Sequence, residues 1–200
     1  LVYIYTGAMY RALALSCIQH HVPFKDEEEV LKLLATTSIE LEQPLRSDGP
    51  PYRVLLDGVD VTDNIFEQKV AMGTSDVSTL PSVRKIMVDR QKEMAKGKNV
   101  VMEGRDIGLR VLPEAQLKIY LTADVKERTR RRWKQWVDRG TAKTFDEVLV
   151  ETQERDLQDS TRATDPLQKL PDAWELDTTG FSQDQVVAKI REELMRRHLL

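Results

Sequence analysis

Short apolar runs that alternate with helical segments restrict the fold of this chain more than any other feature. Four such runs follow one another: Leu1–Tyr5, Asn99–Glu103, Leu117–Thr122 and Trp174–Leu176. Strands of a parallel sheet are buried on both faces, so they form continuous apolar runs between helices. The alternation therefore predicts an α/β fold, with a parallel sheet flanked by helices.

A different pattern lies between residues 37 and 63. Two apolar and β-branched runs there are separated by Asp57-Gly58, the strongest short signal for a β-hairpin. With the run before them, the segment predicts three antiparallel strands: Thr37–Glu42, Tyr52–Leu56 and Val59–Thr62, with a loop at 48–51. We interpret the segment as a small β insert within a mainly α/β chain.

The remaining segments have the period of amphipathic helices. We expect helices at Ala8–His20, Lys25–Leu34, Phe66–Ser78, Ser82–Ala95, Asp124–Val137, 144–160 and Gln183–Arg197. Thr6-Gly7 is interpreted as a turn before the first helix, and Thr144 with Glu147 as a capping box. Ile190, Leu194 and either Val186 or Val187 are expected to form the core stripe of the last helix.

The composition narrows the classes of protein to which the chain can belong. Its 200 residues suit one domain, and 40% apolar with 32% charged residues is typical of a soluble globular protein. No apolar run approaches the roughly 18 residues of a membrane span, and a single cysteine, Cys17, indicates a reducing compartment. We therefore expect a cytoplasmic protein with no membrane partner.

The charge distribution favours a small anionic ligand. The net charge of −3 provides no overall basic field for nucleic acid. Nucleic-acid binding through the basic run at 128–134 is the weaker alternative, because few aromatic residues are available to stack on bases.

Two segments at predicted strand ends carry candidate ligand-binding residues. Thr6-Gly7-Ala8-Met9-Tyr10-Arg11 puts N–H groups and an arginine at a helix N-terminus, a ready anion site; alone, an ordinary strand-to-helix turn explains it better. Glu103-Gly104-Arg105-Asp106-Ile107-Gly108 follows a buried strand, where ligands of open α/β sheets bind. A structural salt bridge is the alternative there, but Arg and Asp are costly to bury without a partner. We favour a ligand-binding role for the second segment.

Two predicted helices in succession carry clustered arginines. In the first, the spacing brings together Arg128, Arg131 and Arg132 on one face. In the second, it brings together Arg155, Asp159 and Arg162. Both sets are compatible with an ion-paired, solvated surface. Because the helices follow one another, they are also compatible with a hinged arm that folds arginines onto phosphates.

These segments resemble bacterial cytidylate kinases in sequence, order and spacing. The resemblance rests on Thr6–Arg11, Val70-Ala71 through Leu80-Pro81-Ser82-Val83-Arg84, Glu103–Gly108, and Glu154-Arg155-Asp156 with Asp159 and Arg162. It covers essentially the whole chain, and the β insert looks like the nucleotide-binding insert of that family. It implies a P-loop nucleoside monophosphate kinase-like domain at 1–200: core 1–24, 79–123 and 163–200, CMP-binding insert about 25–78, helical lid about 124–162.

The resemblance implies transfer of the γ-phosphoryl group of ATP to CMP or dCMP, with Mg²⁺. Ser75, Arg84 and Asp106 match the residues that read cytosine. The physical chemistry agrees, because cytosine presents an amine donor to a carboxylate beside acceptors for Arg and Ser. Uracil would turn an acceptor toward Asp106, so strong discrimination between the two bases is expected.

The other matching residues belong to the phosphates and the sugar. The resemblance gives a catalytic role to Arg105, Arg131 and Arg162; substrate contacts to Thr6, Arg11, Arg105, Arg155, Asp159 and Arg162; and ATP contacts to Arg128 and Arg131. It places Asp159 on a sugar hydroxyl and Arg131 on a mobile lid. Phosphoryl transfer depends on positioning and charge neutralisation, for which bidentate arginines are suited.

The sequence departs from the family pattern in three places. The only Gly-Lys pair, Gly97-Lys98, lacks the context of a Walker A loop, so we expect the first strand and P-loop, about 30 residues, to be absent. Truncation is favoured over an inactive relative or a complementing segment, and the alternative function is CMP binding without turnover. Tyr5 stands where the family usually has aspartate, and Leu109-Arg110 replaces a smaller apolar pair. A monomer is expected.

Overall fold

The computed structural model of this protein describes residues 1–44, 51–138, 140 and 142–200. The strands in these ranges form two parallel pairs and one antiparallel sheet. The chain divides into two compact units, residues 1–112 and 113–200. Each unit contains one of the parallel pairs, so the α/β class with helix-flanked parallel strands is confirmed. Most of the loop predicted at 48–51 lies outside the described residues.

In the first unit, β1 (Val2–Tyr5) pairs in parallel with β5 (Val100–Glu103), and the register ends at Tyr5 opposite Glu103. Helix α1 (Thr6–Gln19) follows β1 directly. The turn predicted at Thr6-Gly7 is wrong, because both residues already belong to the first helical turn. Ten of the 14 residues of α1 are buried, so this helix forms the centre of the unit's core.

The predicted insert is an antiparallel sheet of three strands in the order β2-β3-β4. Its strands are β2 (Ile39–Glu42), β3 (Arg53–Leu56) and β4 (Val59–Asp60). Asp57 and Gly58 have φ values of 50° and 78°, as a type I′ hairpin turn requires. The Arg53 guanidinium bonds Asp60 at 2.7 Å and Glu42 at 3.1 Å, which ties both outer strands to β3.

Three further helices complete the first unit: α2 (Glu27–Thr36), α3 (Gln68–Val77) and α4 (Pro81–Ala95). The helix predicted from Phe66 begins two residues later, because Asn64–Phe66 forms a separate 3₁₀ turn. After β5, the chain forms a π-helical turn at Ile107–Val111, which the sequence pattern did not predict.

In the second unit, β6 (Ile119–Thr122) pairs in parallel with β7 (Trp174–Asp177). Its helices are α5 (Val125–Asp138), α6 (Phe145–Thr161) and α7 (Gln183–Arg196). The capping box of Thr144 and Glu147 is confirmed at the start of α6. Helices α5 and α6 pack together, with the Trp133 and Phe145 rings edge to face at 6.4 Å.

The apolar stripe predicted for α7 is half-buried, with Val186 rather than Val187 as its first member. Val187 is 63% exposed, and Val186, Ile190 and Leu194 are half-buried. The buried residue of this helix is Glu193, whose carboxylate accepts hydrogen bonds from Arg196 and Arg197. The buried position of this helix, which the predicted stripe did not include, is therefore held by ion pairs. No helix in the described ranges is long and apolar enough to span a membrane.

Candidate active site

The junction of β1 and α1 is bonded to the carboxyl end of β5. Thr6 is buried, and its hydroxyl donates a hydrogen bond of 2.8 Å to the carbonyl oxygen of Glu103. The Glu103 side chain accepts a second bond of 2.8 Å from the Tyr3 hydroxyl. Burial and this carboxylate raise the pKa of Tyr3 above its ordinary value. The side chain of Glu103 is thus bonded to β1 and its carbonyl to the first residue of α1.

Tyr5, the residue that departs from the family pattern, covers the first turn of α1. A Cβ atom on Gly7 would lie 2.6 Å from the Tyr5 ring, so a larger residue at this position would require the ring to move. The Tyr5 ring also lies 5.3 Å from that of Tyr52, a buried residue next to β3. Tyr5 therefore packs between the parallel pair and the insert.

Arg84 and Asp106, two of the three predicted base-reading residues, form a buried ion pair. Arg84 comes from α4 and is 3% exposed, whereas Asp106 follows β5 and is 9% exposed. A guanidinium Nη2 of Arg84 donates to Oδ2 of Asp106, and Nη1 donates to the carbonyl of Ser78 at 3.0 Å. The structure therefore brings together a charged donor and a charged acceptor that are separated by 22 residues in the chain.

Ser75, the third of these residues, lies half-buried on α3. Its carbonyl accepts a 2.8 Å bond from the hydroxyl of Ser78, and the Ser78 carbonyl is the acceptor for Arg84. Ser78 thus connects the end of α3 with Arg84. Sequence reasoning missed Ser78; its spacing of three from Ser75 was the only available signal.

The two predicted phosphate-binding arginines of the first unit differ in their surroundings. Arg11 donates a 3.1 Å bond to the carbonyl of Ile65, and its guanidinium lies 5.3 Å from the centre of the Phe66 ring. Arg105 is exposed, directly after β5 and beside buried Asp106. Arg105 therefore lies in an exposed position at the carboxyl end of β5.

In the second unit, the three residues predicted to share a helical face lie on α6 and at its end. Asp159 lies 3.9 Å from the Arg155 guanidinium and 3.7 Å from that of Arg162. Arg162, at the end of the helix, is bonded further to the carbonyl of Asp165 at 2.8 Å and 2.5 Å. The predicted shared face is confirmed. Asp159 forms an ion pair with each of the two arginines on this face.

Arg128 and Arg131 of α5 are directed to different neighbours. Arg128 contacts both carboxylate oxygens of Asp156 at 2.9 Å and 2.6 Å, which ties α5 to α6. Arg131 donates to the Thr178 hydroxyl at 2.9 Å and to its carbonyl at 2.7 Å. Glu127 accepts from Arg130 and Arg131, and these bonds lower its pKa to about 2. In this structure, both predicted ATP-binding arginines are engaged within their own unit.

Known proteins match this chain along almost its whole length. A family model described as cytidylate kinase matches residues 1–196. The cytidylate kinase of Caldanaerobacter subterraneus subsp. tengcongensis is 42% identical over 194 residues, 97% of this chain and 83% of that protein. That of Geobacillus thermodenitrificans is 45% identical over 196 residues (98% and 86%), and that of Bacillus pumilus 44% over 189 residues (94% and 82%). This chain therefore belongs to the cytidylate kinase family.

Proposed function

We propose that this protein transfers the γ-phosphoryl group of ATP to CMP or dCMP and so produces ADP with CDP or dCDP. The observation that carries the proposal is the buried pair of Arg84 and Asp106 at the carboxyl end of β5. Ligands of open α/β sheets bind at such strand ends. The relatives named above are cytidylate kinases, in agreement with a site built to read a cytosine base.

The base is recognised by complementary hydrogen bonding. A carboxylate has two oxygens and about four lone-pair sites, so Asp106 can accept from Arg84 and from the cytosine amine together. Arg84 and Ser75 donate to the ring acceptors N3 and O2. Uracil presents an acceptor in place of the amine, so its binding would leave a buried carboxylate facing a carbonyl oxygen. A site of this kind rejects the wrong base strongly.

Arginines hold the phosphates in the proposed complex. Arg11, Arg105 and Arg162 contact the monophosphate, and Arg155 and Asp159 contact the sugar and phosphate, with Asp159 accepting from a sugar hydroxyl. Thr6 is the remaining residue of this group that was assigned to substrate binding. Transfer requires little covalent chemistry from the protein, because positioning and charge neutralisation lower the barrier. Arg105 and Arg162 therefore serve catalysis as well as binding.

Arg128 and Arg131 contact ATP in the proposed complex, and Arg131 has a catalytic role. Reaching the γ-phosphate requires Arg131 to exchange its bonds to Thr178 for bonds to phosphate oxygens. The guanidinium is charged in both arrangements, but a phosphate oxygen also carries negative charge, so ATP offers Arg131 a fully charged partner in place of Thr178.

The metal in the proposed reaction is Mg²⁺, bound with ATP. Within the described ranges, no three acidic, histidine or cysteine side chains are grouped closely enough to hold an ion. Mg²⁺ typically uses one or two carboxylates beside nucleotide phosphates, and the exposed carboxylate of Glu103, the last residue of β5, would supply one. When bound, Mg²⁺ neutralises charge on the β- and γ-phosphates.

The direct test is ADP release from ATP in the presence of CMP, dCMP, UMP or AMP. We expect turnover with CMP and dCMP and little with UMP or AMP. Preference for UMP or AMP would refute cytosine recognition. Binding of CMP without any ADP release would instead favour the alternative of a nucleotide-binding protein without turnover.

The domain organisation and cellular setting stay predictions. We propose one kinase-like domain over 1–200, with the core, CMP-binding insert and lid at the bounds given above, and a monomeric, cytoplasmic protein. Sedimentation of the purified chain tests the monomer, and gel-shift experiments test the expected lack of nucleic-acid binding.

A further inference from the structure

Thr6 is a predicted substrate-binding residue whose hydroxyl is bonded within the protein. It is 4% exposed, and its hydroxyl donates to the Glu103 carbonyl at 2.8 Å. The backbone register of β1 and β5 ends one residue earlier, at Tyr5 opposite Glu103. The Thr6 hydroxyl thus adds a side-chain bond at the point where helix α1 has begun and strand pairing has stopped.

Gly104 is fitted closely around this bond. A Cβ atom on Gly104 would lie 2.5 Å from the Thr6 hydroxyl oxygen and 2.8 Å from Cδ1 of Ile107. Real Cβ atoms essentially never make such short contacts, so a larger residue at 104 would displace the segment or the hydroxyl. Thr6 and Gly104 are therefore matched to each other by steric fit.

The segment that follows is fixed at its other end by Asp106. The Asp106 carboxylate pairs with Arg84, and its carbonyl accepts from the N–H groups of Leu109 and Arg110 at 3.1 Å and 2.8 Å. Only Gly104 and Arg105 lie between this anchor and Glu103. The Thr6 bond is therefore the nearest anchor upstream of both the base-reading carboxylate and the exposed arginine.

We propose that Thr6 is a positioning residue for base recognition, which acts through the Glu103 carbonyl and holds the Gly104–Asp106 segment so that Asp106 faces the cytosine amine. This inference rests on the proposed function. It assigns the Thr6 hydroxyl to the protein backbone rather than to the substrate phosphate. Its effect is therefore on the choice of base.

The test compares Thr6→Val, which keeps the branched shape but removes the hydroxyl, with Thr6→Ser, which keeps the hydroxyl. Calorimetric titration gives the dissociation constants of CMP and UMP for each protein. We expect Thr6→Val to lower the preference for CMP over UMP about tenfold, the loss of one hydrogen bond. Thr6→Ser should retain the parental preference.

The outcomes separate the possible roles. Equal weakening of CMP and UMP by Thr6→Val would place the hydroxyl on the shared phosphate and overturn the proposal, as would an unchanged preference. Gly104→Ala supplies an independent variant if Thr6→Val does not fold: it should reduce the same preference, and a parental preference would again contradict us. If the parent chain itself showed no preference for CMP, the proposed function would fail and not this inference alone.

Discussion

Removing the Asp106 carboxylate should destabilise the protein far more than removing an exposed carboxylate of the same unit. Asp106→Ala leaves the Arg84 guanidinium, 3% exposed, without its charged partner. Breaking a buried pair in this way costs about 3–5 kcal/mol, and burial this complete leaves little solvent screening. With a urea m-value of about 2 kcal/mol/M, the unfolding midpoint should fall by about 2 M.

Asp60→Ala is the matched control. Asp60 also pairs with an arginine, Arg53, but it is 44% exposed, so its loss should cost less than about 1 kcal/mol. The double variant Arg84→Met/Asp106→Ala should be more stable than the sum of the single effects predicts, because no charge remains buried alone. The assay is urea unfolding followed by circular dichroism. Additive single effects, or equal costs for Asp106→Ala and Asp60→Ala, would refute the reasoning.

Three further predictions concern single residues. The bonds from Arg53 and from Thr62 lower the pKa of Asp60 to about 2. The stabilisation from this ionised carboxylate is therefore present above the ordinary carboxyl pKa and is lost as pH falls toward 2. Carbon NMR titration measures the pKa of Asp60, and Arg53→Gln should raise that pKa. Burial raises the pKa of Cys17 to about 11, so a thiol reagent should react at pH 8 only after unfolding; rapid labelling of the native protein would contradict this. Arg131→Ala should mainly reduce kcat with little change in the KM for CMP, and an unchanged rate would exclude Arg131 from the transition state.

Features that depend on neighbouring residues were predictable from the sequence. The hairpin at Asp57-Gly58 forms because both positions adopt positive φ, a property of the two residues themselves. The capping box of Thr144 and Glu147 is likewise local. The exact start of α1 was not predictable, because Thr6 and Gly7 can occupy either a turn or a first helical turn.

For features that depend on distant contacts, the sequence indicated which residues matter but not which residues they contact. The position of Asp106 after an apolar strand identified it as a candidate, yet its bond to Arg84 required the packing of α4 beside that strand end. Nothing in the sequence indicated that Arg131 bonds to Thr178, 47 residues away. The choice between Val186 and Val187 was left open by the sequence, because helical periodicity identifies an apolar stripe without showing what covers it; the structure leaves Val187 exposed.

The most direct test of cytosine recognition by Asp106 is calorimetric titration of CMP and UMP into the parent chain and into Asp106→Asn. We expect the parent to prefer CMP by about 10⁴-fold, as a site built to hydrogen-bond its substrate should. Asp106→Asn should lose most of that preference, because an amide can donate to the uracil oxygen. A parent that binds both nucleotides equally, or an Asp106→Asn variant that keeps the full preference for CMP, would contradict the account.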